Sequence, residues 1–365
     1  MSLEKIYQIS EKAEKFLEAY LNNPAPTGME VQGQKLWLDY IKPAIDSHFV
    51  DHYGTVVGII NPDAPFKVVI EAHADEISWF VSYISEDGYI SVIRNGGSDH
   101  MIAPSKRVNF HTRKNGVVKG VFGWPAIHLR NGDKDITPSI KNITIDVGAA
   151  SKKEVEDMGI HVGTICTYED EFIKLNDKYY VGRALDNRIG GFIIAEVARL
   201  IKEKKVKLPF GLYIVNSVQE EVGLRGAQMI VETIRPNVAI ITDVCHDTTT
   251  PLIDKKENGE FKCGKGPVIT YAPAVHNILR DIIIDKALEM VIPFQRDAAS
   301  RVTGTDTDAF AYATGGIPSA LISLALKYMH TTVETVAKED VENVIRLIFE
   351  SLKAITPSTN FKYIR

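Results

Sequence analysis

The densest chemistry in this chain lies in Val215-Asn-Ser-Val-Gln-Glu-Glu-Val-Gly-Leu-Arg-Gly-Ala227. The run Gly211-Leu-Tyr-Ile-Val215 is short, apolar and β-branched, which predicts a buried strand. Two adjacent carboxylates, Glu220 and Glu221, follow it. The crevice beyond the carboxyl end of a strand in a parallel sheet is where ligands bind. Neighbouring glutamates there can point in different directions, so that one binds a metal while the other handles protons. An isolated Glu-Glu pair more often opens a solvated helix. Here three other predicted strand ends carry similar groups: His73 follows Phe66–Ala72, Asp243 follows Val238–Thr242, and His330 lies beyond Ser319–Leu324.

With Asp186, which precedes a helical stretch, and Glu221, these residues make five metal-type ligands of oxygen and imidazole, without cysteine. Such a set suits zinc, cobalt or manganese. Five ligands exceed what one catalytic zinc takes from protein, and they would suit two ions about 3.5–4 Å apart if one carboxylate bridges them. Residues i and i+2 of an extended chain share a side, so Asp75 is placed to accept the second ring N–H of His73.

Singly, each residue has a plainer alternative. A lone histidine is more often a hydrogen-bonded structural group, Asp186 could cap a helix, and Asp243 could simply end a strand. His100, His111, His128 and His161 have no carboxylates arranged around them and are read as structural. Cys245, two residues past Asp243, lacks a His–Asp arrangement to activate it and is read as inert. The chain contains no Gly-x-Ser-x-Gly elbow and no phosphate-binding glycine loop.

These residues need a frame. At 365 residues the chain is too long for one ordinary domain. Its 45% hydrophobic and 24% charged residues describe a globular protein with ample core. The net charge of −5 gives no electrostatic case for nucleic acid or an anionic membrane surface. No run approaches the ~18 apolar residues of a membrane span. Met1-Ser-Leu-Glu-Lys-Ile6 lacks the order of a secretory signal, and the three cysteines show no metal or disulfide spacing, so a cytoplasmic location is expected.

Periodicity predicts helices over Ile6–Leu21 and Glu30–Ile45, then a hairpin over His48–Asn61. From Ile77 to about Tyr180 the texture changes to short alternating runs punctuated by Asp87-Gly88, Gly96-Gly97, Asn115-Gly116 and Asn131-Gly132, as in a small all-β barrel or sandwich. Afterwards the α/β texture returns, with helices over Arg188–Glu203, Val275–Val291 and Val341–Ile355. An α/β domain, residues 1–76 and 179–365, interrupted by an inserted β domain, residues 77–178, accounts for this order.

Ala72-His-Ala-Asp-Glu-Ile77, Arg183-Ala-Leu-Asp-Asn-Arg188, Gln219-Glu-Glu-Val-Gly-Leu-Arg-Gly-Ala227, Thr242-Asp-Val244, Gly304-Thr-Asp306 and Tyr328-Met-His330 together resemble the blocks of the glutamyl and deblocking aminopeptidases, whose best-known members are the tetrahedral aminopeptidases. The resemblance spans nearly the whole chain. It implies a zinc-peptidase-like catalytic domain with a mixed sheet sandwiched by helices and a small barrel-like insert. It further implies two divalent cations per chain, with Asp186 bridging, His73 and Asp243 completing one site, and Glu221 and His330 the other. Glu220 would be the general base, Asp75 would orient His73, and the segment around Thr305 and Asp306 would help form the substrate pocket. Departures from the family's commoner residues fall at Ala74, Ser78, Asn187 and Lys327, none of them a ligand, and the loop His246–Pro251 is idiosyncratic.

The expected activity is therefore metal-dependent removal of the first residue of short peptides, with first-residue specificity left open. β-Glucan hydrolysis is the rival, since relatives of that family have been described as endoglucanases and a glycosidase needs two carboxylates. A catalytically dead scaffold is the third reading. The resemblance also implies self-association through the insert, from dimers up to a tetrahedral dodecamer.

Overall fold

The predicted strands around the site are apolar at nearly every position, the pattern of strands covered on both faces. The structure, a computed structural model, describes residues 7–130 and 136–364. Ile6 and the Asn131-Gly132 turn lie outside the described residues. The chain opens with α1 (Glu11–Asn22) and α2 (Val31–Ile41), the hairpin β1 (Ser47–Val50) and β2 (Val56–Ile60), and β3 (Lys67–His73). Helix α1 begins only at Glu11, because Ser10 caps it by accepting the Ala13 N–H at 3.2 Å. Helix α2 gives way to a 3₁₀ turn at Lys42–Ala44, where Pro43 lacks the N–H to continue it.

Next come β4 (Ser78–Ile84), β5 (Ile90–Asn95), β6 (Arg107–Thr112), β7 (Gly116–Gly123), β8 (Thr144–Asp146), α3 (Lys152–Asp157) and β9 (Ile165–Tyr168). These six strands close a barrel in the order β4-β5-β8-β7-β6-β9. Its core is its own, with Trp79 edge-on to Phe122 and to Tyr168 at centroid distances of 5.6 and 6.4 Å.

The chain then returns through β10 (Ile173–Leu175) and β11 (Tyr179–Gly182), both on the large sheet. The rest comprises α4 (Leu185–Glu203), β12 (Gly211–Ser217), α5 (Arg225–Ile234), β13 (Val238–His246), α6 (Lys255–Asn258), β14 (Val268–Tyr271), α7 (Asn277–Glu289), β15 (Gln295–Ala298), α8 (Thr307–Ala311), β16 (Ser319–Lys327), β17 (Glu334–Ala337) and α9 (Lys338–Ala354).

The large sheet is mixed and runs β1-β2-β12-β3-β13-β16-β17-β11-β10, with β14 and β15 branching from β16. Its centre, β12-β3-β13-β16, is parallel throughout, so four carboxyl ends open on one edge. One face packs on α1, α2, α4, α7 and α9, and the other on α5 and α8. The fold is thus an α/β sandwich carrying a separate antiparallel barrel. Strand β13 runs past Asp243 to His246, because its ladder with β16 continues to His246↔Leu326; Asp243 therefore lies within a strand instead of ending one.

Helix α4 lies directly on the sheet. Its Gly190 sits so close to β3 that an added Cβ would come within 2.9 Å of the Ala72 methyl. Asn187 fixes its first turn from both sides: its Nδ2 donates to the Thr242 carbonyl at 2.9 Å, and its Oδ1 accepts the Gly190 N–H at 3.2 Å. An ionised aspartate could not make the first of these bonds. Asn187 is a joint between α4 and β13.

Candidate functional site

The parallel register decides which side chains meet. The β3–β13 ladder ends at Ile241↔Glu71, two residues short of Asp243 and His73. The two strands part there, and the side chains of Asp243 and His73 stand side by side, 4.0 Å apart between Oδ1 and Nε2. Strand β12 pairs Ser217 with His73, so the Glu220–Glu221 turn lies just beyond. Strand β16 leads through Lys327 to the loop bearing His330. From above, Asp186 enters at the non-helical start of α4, where the Asp186–Asn187 peptide is cis.

All the ligand-type residues predicted from sequence converge. One potential ligand atom each from His73, Asp186 and Asp243 lie within 4.8 Å of one another, and the same holds for Asp186, Glu221 and His330. Asp186 belongs to both groups through different oxygens: Oδ1 is 3.3 Å from His73 Nε2, and Oδ2 is 3.3 Å from His330 Nε2. Glu221 Oε1 stands 3.4 Å from His330 Nε2. Glu220 falls outside both groups, with Oε2 3.8 Å from His73 Nε2.

The donor set, oxygen and imidazole throughout, suits divalent cations. Five carboxyl groups, those of Asp75, Asp186, Glu220, Glu221 and Asp243, lie within 4.0 Å of only two imidazoles, and the carboxyls repel one another. Burial, only partly offset by His73 and reinforced by Asp243, Asp306 and Asp186, pushes Glu220 up to about 10. Burial likewise raises Glu221 and lifts Asp243 well above the usual carboxylate range. Asp186 is the exception. Burial would raise it, but hydrogen bonding to His330 and His73 holds it well below the ordinary value. Burial alone would lower His330, yet Asp186 and Glu221 carry it up to about 11. His73 is raised by Glu220, Asp186 and Asp75 against the same opposition. A site with this surplus of negative charge is built to receive positive charge.

Asp75 has more contacts than its predicted role required. Its Oδ1 is 3.3 Å from His73 Nδ1 and also accepts the Glu220 N–H at 3.0 Å; Oδ2 accepts Thr27 Oγ1 at 2.8 Å and the Glu221 N–H at 3.3 Å. One carboxylate thus backs the first imidazole and pins the backbone of both glutamates. Glu334 does comparable work on the other side and escaped the sequence reading. It is fully buried, accepting the Asp186 N–H at 3.0 Å and the His330 N–H at 2.8 Å. The only hint in the sequence is that it follows His330 by four residues. The barrel also contributes: His330 Nδ1 lies 3.2 Å from the Gly97 carbonyl, and any Cβ on Gly97 would overlap the imidazole.

A cavity of about 770 Å³ opens over these groups. Thr305 lines it. Asp306 lies beneath, buried, accepting Ser217 Oγ at 2.8 Å beside Glu71. Cys245 is on the wall, its thiol raised well above the usual range by burial first and Asp297 next, which disfavours a reactive thiolate. Lys327 turns its ammonium over the Tyr179 ring at 5.8 Å. Among the described residues, no helix is long and apolar enough to cross a membrane.

A profile of the family described as M42 glutamyl aminopeptidase matches residues 54–347. The lysyl aminopeptidase of Pyrococcus furiosus is 34% identical over 348 residues, 93% of this chain and 97% of that protein. Among solved structures, the TET aminopeptidase of the marine sediment archaeon Thaumarchaeota archaeon SCGC AB-539-E09 superposes with a TM-score of 0.89 at 29% identity, covering 95% of this chain and 97% of its own. The TET1 peptidase of Pyrococcus horikoshii, which can assemble into a tetrahedron or a large octahedral shell, gives a TM-score of 0.81 at 26% identity, over 93% of this chain and 98% of its own.

Proposed function

The chain belongs to the M42 glutamyl aminopeptidase family, and from that premise we propose that it removes the N-terminal residue of short peptides by metal-assisted hydrolysis. The observation that carries this reading is Asp186, whose two oxygens each face a different imidazole at 3.3 Å, the arrangement a bridging carboxylate needs. His73 and Asp243 would complete one metal site, and Glu221 and His330 the other. Bound there, two divalent cations (zinc, cobalt or manganese) would lower the pKa of a shared water and polarise the scissile carbonyl.

The chain's own groups do the rest. Glu220 is outside both ligand groups, so its carboxylate is free to take a proton from the attacking water and return it to the leaving amine. Asp75 holds His73 and fixes Glu220 through its N–H. Thr305 on the cavity wall would contact substrate, with Asp306 supporting the strand ends from below. β-Glucan hydrolysis by Glu220 and Glu221 has less support, because it leaves His73, Asp243 and His330 without a part.

Self-association follows from the same premise. The barrel strands, within the 77–178 insertion, expose Tyr83, Ile93, Val117 and Val121, a surface suited to packing against another copy. The assembly of the Pyrococcus horikoshii relative supports this reading.

The test uses aminoacyl-p-nitroanilides, run as purified, after chelation, and after zinc, cobalt or manganese is restored. Chelation should abolish release and metal should restore it. Glu220→Gln should keep its metal and lose about 10²–10⁴-fold in kcat. Release that survives complete metal removal, or near-normal turnover by the variant, would overturn the proposal.

A further inference from the structure

Building on the aminopeptidase reading, we infer that the cavity selects peptides whose first residue is lysine or arginine, and that Asp297 is the specificity-determining residue. Strand β15 alternates half-buried and exposed residues, so Asp297 faces the cavity while Arg296 turns away and stacks on Phe294, its guanidinium carbon 4.6 Å from the ring centre. Asp297 Oδ1 accepts the neighbouring Ala298 N–H at 2.7 Å. Among the described residues, no lysine, arginine or histidine forms an ion pair with its carboxylate, and no lysine or arginine lines the cavity at all. Asp308 adds a second negative group. Its Oδ2 is occupied by the N–H groups of Thr303 and Gly304 at 2.8 and 3.1 Å, whereas its buried Oδ1 has no hydrogen-bond partner.

The same cavity is lined by Phe261, Val302 and Met329, which suit the aliphatic stem of a long side chain. Asp297 lines the same cavity as His73, Asp186, Glu221, Asp243 and His330, so a substrate whose α-amino group lies beside the metal-type ligands shares that cavity with its carboxylate, and a long flexible cationic side chain can turn towards it. A glutamate side chain entering here would meet like charge in a half-buried setting, a repulsive arrangement.

The experiment compares kcat/KM for lysyl, arginyl, leucyl and glutamyl p-nitroanilides on the metal-loaded protein, its Asp297→Asn variant and its Asp297→Glu variant. Lysine and arginine should lead in the wild type. In Asp297→Asn the lysine-to-leucine ratio should fall at least about tenfold, mainly through KM, and Asp297→Glu should restore most of it. Leucine or glutamate leading in the wild type would overturn this inference alone. Equal losses on lysine and leucine in Asp297→Asn would also overturn it, marking Asp297 as a structural or α-amino contact. No turnover on any of the four substrates would overturn the peptidase reading, and this inference with it.

Discussion

His73 and Asp243 project from neighbouring parallel strands, both deeply buried, with their positions set by sheet register. Glu221 and His330 stand on loops, and the His330 side chain keeps 32% of its surface exposed. His330 also adopts a left-handed backbone, φ 61°, a conformation that costs a non-glycine residue on the order of 1 kcal/mol. Register cannot hold such a residue. Glu334 holds its N–H, and the Gly97 carbonyl of the barrel meets its ring. The contrast teaches that one half of the site is a product of the sheet, while the other is assembled from long-range contacts that include the inserted domain. Asp186 joins them, with its own N–H fixed by the same Glu334.

The largest effect should come from breaking the joint. Asp186→Ala removes a ligand from both groups, so bound metal should drop below one tight ion per chain and turnover should fall to background. Metal analysis after gel filtration would check this. If the variant keeps one tight ion, the sheet-borne pair is self-sufficient and the two halves are more independent than their shared carboxylate suggests.

Glu334→Ala sharpens the comparison. It frees the backbones of Asp186 and His330 and leaves His73 and Asp243 untouched. Loss of such support behind a metal ligand typically lowers affinity about 10–100-fold. The weaker of two binding steps, followed by competition titration of the metal-free protein, should shift by that amount while the tighter step changes less. Equal weakening of both steps would dissolve the asymmetry.

The same asymmetry explains what the sequence could reveal. The strand-borne members of the candidate site were legible because an apolar β-branched run ending in His73, or enclosing Asp243, is a local pattern. The barrel was legible through alternating runs and Gly-containing turns. Glu334 was not, because its importance lies in two backbone N–H groups, one of them 148 residues away in sequence. Gly97 was visible only as half of a turn, since nothing local says that its carbonyl reaches an imidazole 233 residues on. Asp75 was read as a partner for His73, but its bonds to Glu220 and Glu221 depend on how β3 and β12 lie together. Asp243 looked like a strand terminus because the apolar run stops there, whereas pairing with β16 carries the strand further. The short strands β14, β15 and β17 lack a periodic signal long enough to detect, and β15 carries Asp297.

A smaller effect, on stability, separates the metal-free from the metal-loaded protein. Without cations, burial is outweighed by Asp186 and Glu221 at His330, which is pushed up to about 11, while burial and neighbouring carboxylates push Glu220 up to about 10. Both shifts have one sign: the folded state holds protons that the unfolded state has released. His330 therefore contributes stability that is fully present below its ordinary value of 6.5 and is lost as pH rises towards 11. Glu220 acts in the same direction, since its ionisation inside the site is disfavoured as pH rises above 4.5. Bound cations replace those protons, so the loaded protein should be nearly insensitive over this range. Thermal unfolding at about pH 6 and about pH 9 should show the metal-free midpoint falling by a few degrees relative to the loaded one. A metal-free midpoint that holds or rises would mean the surplus charge is relieved elsewhere, and the electrostatic case for two cations would lose its support.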